Sequence, residues 1–116
     1  MRQFTICKNL VANTKTTMYT VPTKHVAEMT LLFAHNGTSS AKNFTAYIYK
    51  KLANEEVPIF YEYNLASKNY IRFDGSAYIL FEEGDELRVI IETGAVNSSC
   101  FATFEVVPLL SDIKHN

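Results

Sequence analysis

The stretch ELRVIIE, residues 86–92, decides the fold class of this chain. Leu87, Val89 and Ile91 fall on one side of an extended backbone, and charged residues occupy the positions between them. The stretch FTAYIYK, residues 44–50, has the same period of two, and β-branched and aromatic residues are frequent in both. Helical periodicity is nearly absent from the rest of the chain, so we predict an all-β protein.

Turn residues separate the alternating segments at short intervals, as in a domain of short antiparallel strands. A chain of 116 residues is one domain by its length. We therefore predict a single β-sandwich domain over residues 1–116, jelly-roll-like or Greek-key, with about eight short antiparallel strands. Residues 51–57 could instead hold a helical turn, and we expect a mobile tail at 109–116. The predicted strands lie near residues 4–10, 16–21, 26–35, 43–51, 57–63, 69–73, 77–82, 86–92 and 99–107.

The segment YTVPTKHVAEMTLLFAHNGTS, residues 19–39, predicts a strand, a corner, a second strand and a turn. Pro22 has no backbone N–H to donate to a sheet, so it must lie at the end or edge of a strand. The chain then turns a corner, and the next strand runs over residues 25–35. We expect Asn36 and Gly37 to end that strand in a tight turn, because both tolerate positive φ.

Composition and charge exclude several classes of function. Hydrophobic residues make up 47% of the chain and charged residues 20%, as in a globular domain, and the formal net charge is −1. A protein that binds a phosphate backbone would carry a basic excess, so we expect no nucleic-acid partner. The chain lacks both a long apolar run and a secretory signal pattern, so we expect no membrane partner and synthesis in a cytoplasm.

The two cysteines, Cys7 and Cys100, are expected to be reduced in that compartment. We interpret both as small buried hydrophobic residues of strands, and a disulfide between the two terminal strands is the alternative. Cys100 alternates with Ala102 and Phe104 on one face of its strand. This pattern favours a core thiol over a catalytic nucleophile.

The remaining titratable residues do not form a recognisable catalytic or metal-binding motif. His25, His35 and His115 are widely spaced and lack the short intervals that metal ligands require. The acidic residues of segment 82–86 surround Gly84 without the ligand spacing of a calcium loop, so we interpret them as a solvated hairpin turn. We therefore predict no metal, no cofactor and no enzymatic activity.

The aromatic residues, 7 Tyr and 8 Phe, are the feature of the composition that is most informative about function. Tyr47 and Tyr49 alternate away from the expected core of their strand, and Tyr61 and Tyr63 share one face of the next strand. Three interpretations stay open: an outer sheet that binds protein, a platform for sugar rings, or a face covered by loops such as residues 51–57. We take these four tyrosines as the candidate protein-interface residues.

Two longer patterns occur together in this chain. The first is MYTVP, residues 18–22, followed by a strand that ends in NGTSS, residues 36–40. The second is YILFEEGDELRVIIETGAVNSSCFATFEVV, residues 78–107, in which a Gly-Asp pair precedes the last hairpin. Together they resemble small tailed-phage virion proteins of β-sandwich build, over about residues 16–107. The middle segment, residues 50–73, is longer than is usual in that family.

This resemblance implies a structural protein that is located in the virion. The expected function is capsid decoration or cementing, in which the protein stabilises the head by binding the major capsid protein or other virion proteins. A head–tail connector, a collar or a tail component is the alternative within the same class. From another class, a carbohydrate-binding module or a receptor-binding piece of a fibre stays open, with a glycan as the partner. Proteins of this kind commonly form symmetric homo-oligomers.

Overall fold

The computed structural model describes residues 2–74 and 77–109, and every regular element in them is a β-strand. Each predicted strand overlaps an observed one, so the all-β prediction is confirmed. The helical turn considered for residues 51–57 does not form, because residues 51–54 make a hairpin turn and a strand begins at Glu55. Only the first residue of the predicted tail, Leu109, is among the described residues. The strands are β1 (Arg2–Asn9), β2 (Thr16–Thr20), β3 (His25–His35), β4 (Lys42–Lys50), β5 (Glu55–Leu65), β6 (Tyr70–Phe73), β7 (Ile79–Phe81), β8 (Glu86–Ile91) and β9 (Ser99–Pro108).

The strands form two antiparallel sheets that pack as a sandwich. The five-stranded sheet has the order β1-β9-β3, and both β6 and β7 pair with the free side of β3. The four-stranded sheet has the order β2-β8-β4-β5. Neighbours in each sheet are mostly distant in sequence, so the fold depends on long-range pairing.

The nested pairing of the strands is that of a jelly roll. β1 pairs with β9, β2 with β8, β3 with β6 and β7, and β4 with β5, as in a long hairpin that has been rolled up. The pairs β3–β9 and β4–β8 complete the two sheets. Because β6 and β7 pair with residues 32–35 and 27–29 of β3, they act as one interrupted strand. The plan is therefore the eight-stranded jelly roll, one of the two predicted topologies.

The inner faces of both sheets supply one hydrophobic core. Leu87, Val89 and Ile91 are all buried, which confirms the face predicted from the alternation in β8. The rings of Phe81 and Phe104, from neighbouring parts of the five-stranded sheet, meet edge to face with centroids 5.4 Å apart. Aromatic edge contacts of this kind add to the stabilisation from buried area.

The corner that the sequence predicted at Pro22 is present, and it carries the chain from the four-stranded sheet to the five-stranded sheet. Val21, just before it, is buried, and its N–H donates to the carbonyl of Asp85 at 3.0 Å. Lys24 takes a positive φ of 64°, and the N–H of His25 donates to the Pro22 carbonyl. The sharp change of direction is thus made by Pro22 and, two residues later, by Lys24 in the left-handed conformation.

The Asn36-Gly37 turn works differently from the prediction, because neither residue has a positive φ. Asn36 is fully buried, and its Nδ2 donates to the Leu65 carbonyl while its Oδ1 accepts from the N–H of Thr38, at 3.0 and 2.9 Å. A Cβ on Gly37 would lie 2.0 Å from the carbonyl oxygen of Asn97. Asn36 is therefore required for its side-chain hydrogen bonds, and Gly37 is required because the backbone of Asn97 approaches it closely.

The acidic turn between β7 and β8 is only partly the solvated hairpin that was predicted. Gly84 has the expected positive φ of 82°, but Asp85 is buried. The Asp85 carboxylate accepts hydrogen bonds from Lys50 Nζ and from the backbone N–H groups of Lys51 and Glu82, the latter two at 3.0 and 2.8 Å. A buried carboxylate is tolerated when it is paired and hydrogen-bonded in this way. Asp85 thus joins the β7–β8 turn to the β4–β5 turn.

We expect Asp85→Asn to lower the free energy of unfolding by about 2–4 kcal/mol. Both carboxylate oxygens of Asp85 accept hydrogen bonds from N–H groups, so the NH₂ group of Asn would have to face one of these donors. The substitution also leaves the charge of Lys50 without its buried partner. Urea unfolding measures the difference. Glu83→Gln is the matched control, because Glu83 is exposed in the same turn. Equal stability of the two variants would contradict the anchoring role of Asp85.

Candidate interaction surface

The four candidate tyrosines fall into two differently placed pairs. Tyr47 and Tyr49 lie on the outer face of β4, which is an internal strand, and both are half-buried. Tyr61 and Tyr63 lie on β5, which is an edge strand, and their side chains are 64% and 49% exposed. The structure therefore does not present the four rings as one continuous exposed surface.

The rings of Tyr47 and Tyr49 are covered by cations of the same chain. Lys15 Nζ lies 4.5 Å from the ring centroid of Tyr47, and Arg88 Cζ lies 4.0 Å from that of Tyr49. The Tyr49 hydroxyl also donates to Oδ1 of Asn54 in the β4–β5 turn, at 2.7 Å. Of the three interpretations, a face that is covered from within the fold therefore describes Tyr47 and Tyr49 best.

The same cations belong to a charge network across the outer face of the four-stranded sheet. Glu56 accepts from Lys15 at 2.7 Å and from Arg88 at 3.1 Å, and Arg88 also donates to Glu86 at 2.9 Å. Partial burial acts to raise the pKa of Glu56, but the hydrogen bonds from Lys15 and Arg88 outweigh it and lower that pKa below the ordinary value. The charges on this part of the face therefore neutralise one another.

The edge strand β5 is irregular, and this changes the predicted faces of its side chains. Two register shifts against β4 insert extra residues between Pro58 and Tyr63, and Glu62 has a positive φ of 46°. Phe60 and Tyr63 consequently come within 6.4 Å of each other by ring centroids, although strict alternation predicted opposite faces for them. The prediction that Tyr61 and Tyr63 share one regular face is corrected by these bulges.

The irregular edge limits how another molecule can contact it. Pro58 has no N–H, and bulges distort the row of backbone groups to which a further strand would pair. The large hydrophobic side chains exposed on β5 are those of Val57, Tyr61 and Tyr63, with Val57 45% exposed. This strand is therefore suited to recognition through side chains rather than through extension of the sheet.

The prediction from sequence missed a second group of aromatic residues. Phe33, Tyr70 and Phe101 come together on the outer face of the five-stranded sheet, from β3, β6 and β9. The sequence contains one signal for this group: Phe101 lies between Cys100 and Ala102, and it must therefore point away from the core that these two residues line. The other two rings join it only through long-range strand pairing.

The cysteines are both free, and only one of them is buried as predicted. Cys100 is in the core, where desolvation raises its pKa to about 12. Cys7 is exposed, which corrects the prediction that both are buried. In the β1–β9 ladder Cys7 is opposite Phe101 and Lys8 is opposite Cys100, so the thiols lie on opposite faces of the sheet.

Within residues 2–74 and 77–109, no three His, Cys, Asp or Glu side chains are grouped so that they could hold a metal ion. His115, one of the three histidines considered above, lies outside the described residues. The described part of the chain also has no helix of the length and apolarity needed to cross a membrane.

We expect Glu56→Gln to lower the free energy of unfolding by about 0.5–1 kcal/mol at neutral pH, because it removes the central acceptor of the network. Glu56 has a lowered pKa in the folded state, so its contribution is present above the ordinary Glu pKa of 4.5 and is lost as the pH falls through the folded value. The stabilities of wild type and variant should therefore converge in acid. Urea unfolding at neutral and acidic pH tests this.

The control for the loss of one negative charge is Glu55→Gln, at an exposed position of the same strand. A difference between wild type and Glu56→Gln that persists unchanged in acid would contradict the role assigned to the network.

Comparison with known proteins assigns no family to this chain. No protein-family model matches it, and a search of curated proteins found no match.

Proposed function

We propose that this protein is a structural component of a tailed-phage virion that decorates or cements the capsid by binding capsid subunits. The observation that carries the proposal is the bulged edge strand β5, with Val57, Tyr61 and Tyr63 exposed. Tyrosine is enriched at protein interfaces because its ring buries a large apolar area while its hydroxyl still hydrogen-bonds. The resemblance of residues 16–107 to small virion proteins supplies the class of partner.

Binding would be concentrated in a few side chains of this edge. Tyr61 and Tyr63 are the exposed aromatic anchors, and such anchors carry most of the energy of an interface when they enter pockets of the partner. Tyr47 and Tyr49, which are covered by Lys15 and Arg88, would contribute less. The interface we propose is therefore narrower than the four tyrosines that the sequence indicated.

A head–tail connector, a collar or a tail component is the alternative within this class, since the same edge would serve for binding any virion protein. A carbohydrate-binding module or a receptor-binding piece of a fibre is the alternative from another class. One observation favours it: a hollow of about 420 Å³ is lined by polar residues, among them Asn13, Asn43, Glu62 and Glu92, together with the apolar Ile90 and Ile91. Amide and carboxylate groups of this kind can hydrogen-bond sugar hydroxyls.

The proposed function predicts the abundance of this protein in purified phage particles. Decoration requires a copy number comparable to that of the major capsid protein, because each capsid subunit or cluster offers a site. Quantitative mass spectrometry of purified particles measures the ratio. A handful of copies would assign the protein to the neck or tail instead. Absence from particles, with the protein left in the lysate, would overturn the virion assignment and favour the glycan-binding alternative.

The double variant Tyr61→Ser, Tyr63→Ser is expected to weaken association with capsids by about thirtyfold or more, as the loss of one interface hot spot does. Folding should be retained, because Tyr61 is mostly exposed and Tyr63 is half-exposed. Co-sedimentation with purified capsids measures binding, and urea unfolding checks the fold. Tyr78→Ser is the matched control, as Tyr78 is 54% exposed but lies outside β5. Unchanged capsid binding by the double variant would contradict the proposed edge.

A further inference from the structure

A hollow of about 360 Å³ opens at one end of the core, beside the edge strands β1 and β2. Its volume lies within the range in which small molecules bind, about 300–1,000 Å³. We call it the edge hollow. It is lined by Arg2 and His25 and by the apolar or aromatic residues Phe4, Tyr19, Pro22 and Val106, among others.

Strand register places both Arg2 and His25 on the core side of the five-stranded sheet. Arg2 on β1 is the partner of Val106 on β9, which is in turn the partner of Ala27 on β3. Val106 and Ala27 are buried, and paired residues of neighbouring strands point to the same side of a sheet. His25 precedes Ala27 by two positions, so it shares that side. A charged residue is rare on the core side of a strand, and such exceptions are concentrated at functional sites.

Two aromatic rings form the apolar part of the edge hollow. Phe4 of β1 and Tyr19 of β2 meet edge to face across the gap between the sheets, with centroids 5.3 Å apart. Both residues are only partly buried, so part of each ring can contact a flat apolar group. Burial raises the pKa of Tyr19, and the charge of Arg2 acts in the opposite direction. The guanidinium is therefore within electrostatic range of this ring.

The guanidinium of Arg2 is the charged group of the edge hollow. Its Cζ lies 5.3 Å from the ring centroid of Phe4. A guanidinium that stacks on a ring can still donate from its N–H fork, which matches the two oxygens of a carboxylate. No Asp or Glu of residues 2–74 and 77–109 forms an ion pair with Arg2, and none of them lines the hollow. This part of the chain therefore leaves the positive charge available to an anion.

His25 supplies a second polar group. Its Nδ1 lies 2.8 Å from the carbonyl oxygen of Thr23. A carbonyl oxygen can only accept, so Nδ1 carries the hydrogen of this bond. Nε2 is then the ring nitrogen that remains for a ligand, and it donates to a carboxylate when the ring is protonated.

We propose that the edge hollow binds a small organic acid in which a carboxylate is attached to an aromatic ring. The carboxylate accepts hydrogen bonds from Arg2, and the ring of the ligand packs against Phe4 and Tyr19. An inorganic anion would leave both rings in contact with water, and a neutral ring would leave the guanidinium without a partner. The site does not depend on the proposed virion function, because β2 and β5 are opposite edges of the four-stranded sheet.

Titration of the isotope-labelled chain with benzoate, followed by NMR, tests the proposal. The expected result is a saturable shift of the amide signals of Phe4, Tyr19 and His25, with a Kd on the order of 1 mM or below. Benzamide has the ring without the charge, and acetate has the charge without the ring, so each should bind about tenfold more weakly or worse. Absence of saturable shifts at these three residues, or equal binding of benzamide or acetate, would overturn the proposal.

Variants of Arg2 test the role of its guanidinium. Arg2→Met removes the charge and should weaken benzoate binding about tenfold or more, whereas Arg2→Lys keeps the charge without the fork and should weaken it less. Arg72→Met is the matched control, because Arg72 is on the outer side of the same sheet. Urea unfolding checks each fold, and Arg2→Lys keeps the test decisive if Arg2→Met unfolds. Unchanged binding by the Arg2 variants, or an equal loss in Arg72→Met, would contradict the proposed site.

Discussion

The buried carboxylate of Asp85 is the interaction on which the arrangement of the two sheets most depends. The carboxylate oxygens accept hydrogen bonds from Lys50 Nζ and from the backbone N–H groups of Lys51 and Glu82. The backbone carbonyl of Asp85 accepts a further hydrogen bond from the N–H of Val21. These donors come from the β4–β5 turn, the β7–β8 turn and the end of β2, which meet where the chain crosses between sheets. A buried charge is stable only when it is fully partnered, so other arrangements of these turns would leave an unpaired carboxylate.

A second polar anchor, centred on Asn36, holds the loop after β3. Its side chain joins that loop to the end of β5 at Leu65 and Ala66, and Gly37 allows the backbone near Asn97 to approach closely. The core between the sheets is formed by apolar side chains from their inner faces. Directional hydrogen bonds thus position the connections, while non-directional burial stabilises the layers between them.

The outer faces of the two sheets have different physical characters. On the four-stranded sheet, cations cover Tyr47 and Tyr49 and the described charges there are largely paired, so the exposed apolar groups are those of β5. On the five-stranded sheet, aromatic rings from three strands remain open to solvent. The jelly-roll fold serves many functions, so the functional argument comes from these surfaces and from the resemblance to virion proteins, not from the fold.

The sequence alone determined the fold class, the approximate position of every strand, the corner at Pro22 and the turn at Gly84. These features follow from local rules, because side-chain alternation and backbone φ depend on neighbouring residues. Only the tertiary structure decided the bulges of β5, the burial of Asp85 and the convergence of Phe33, Tyr70 and Phe101. Register and burial depend on which distant strands pair, and a single inserted residue moves a side chain to the other face of a sheet. Tyr61 and Tyr63 could therefore be identified as candidates from sequence, whereas their actual orientation could not.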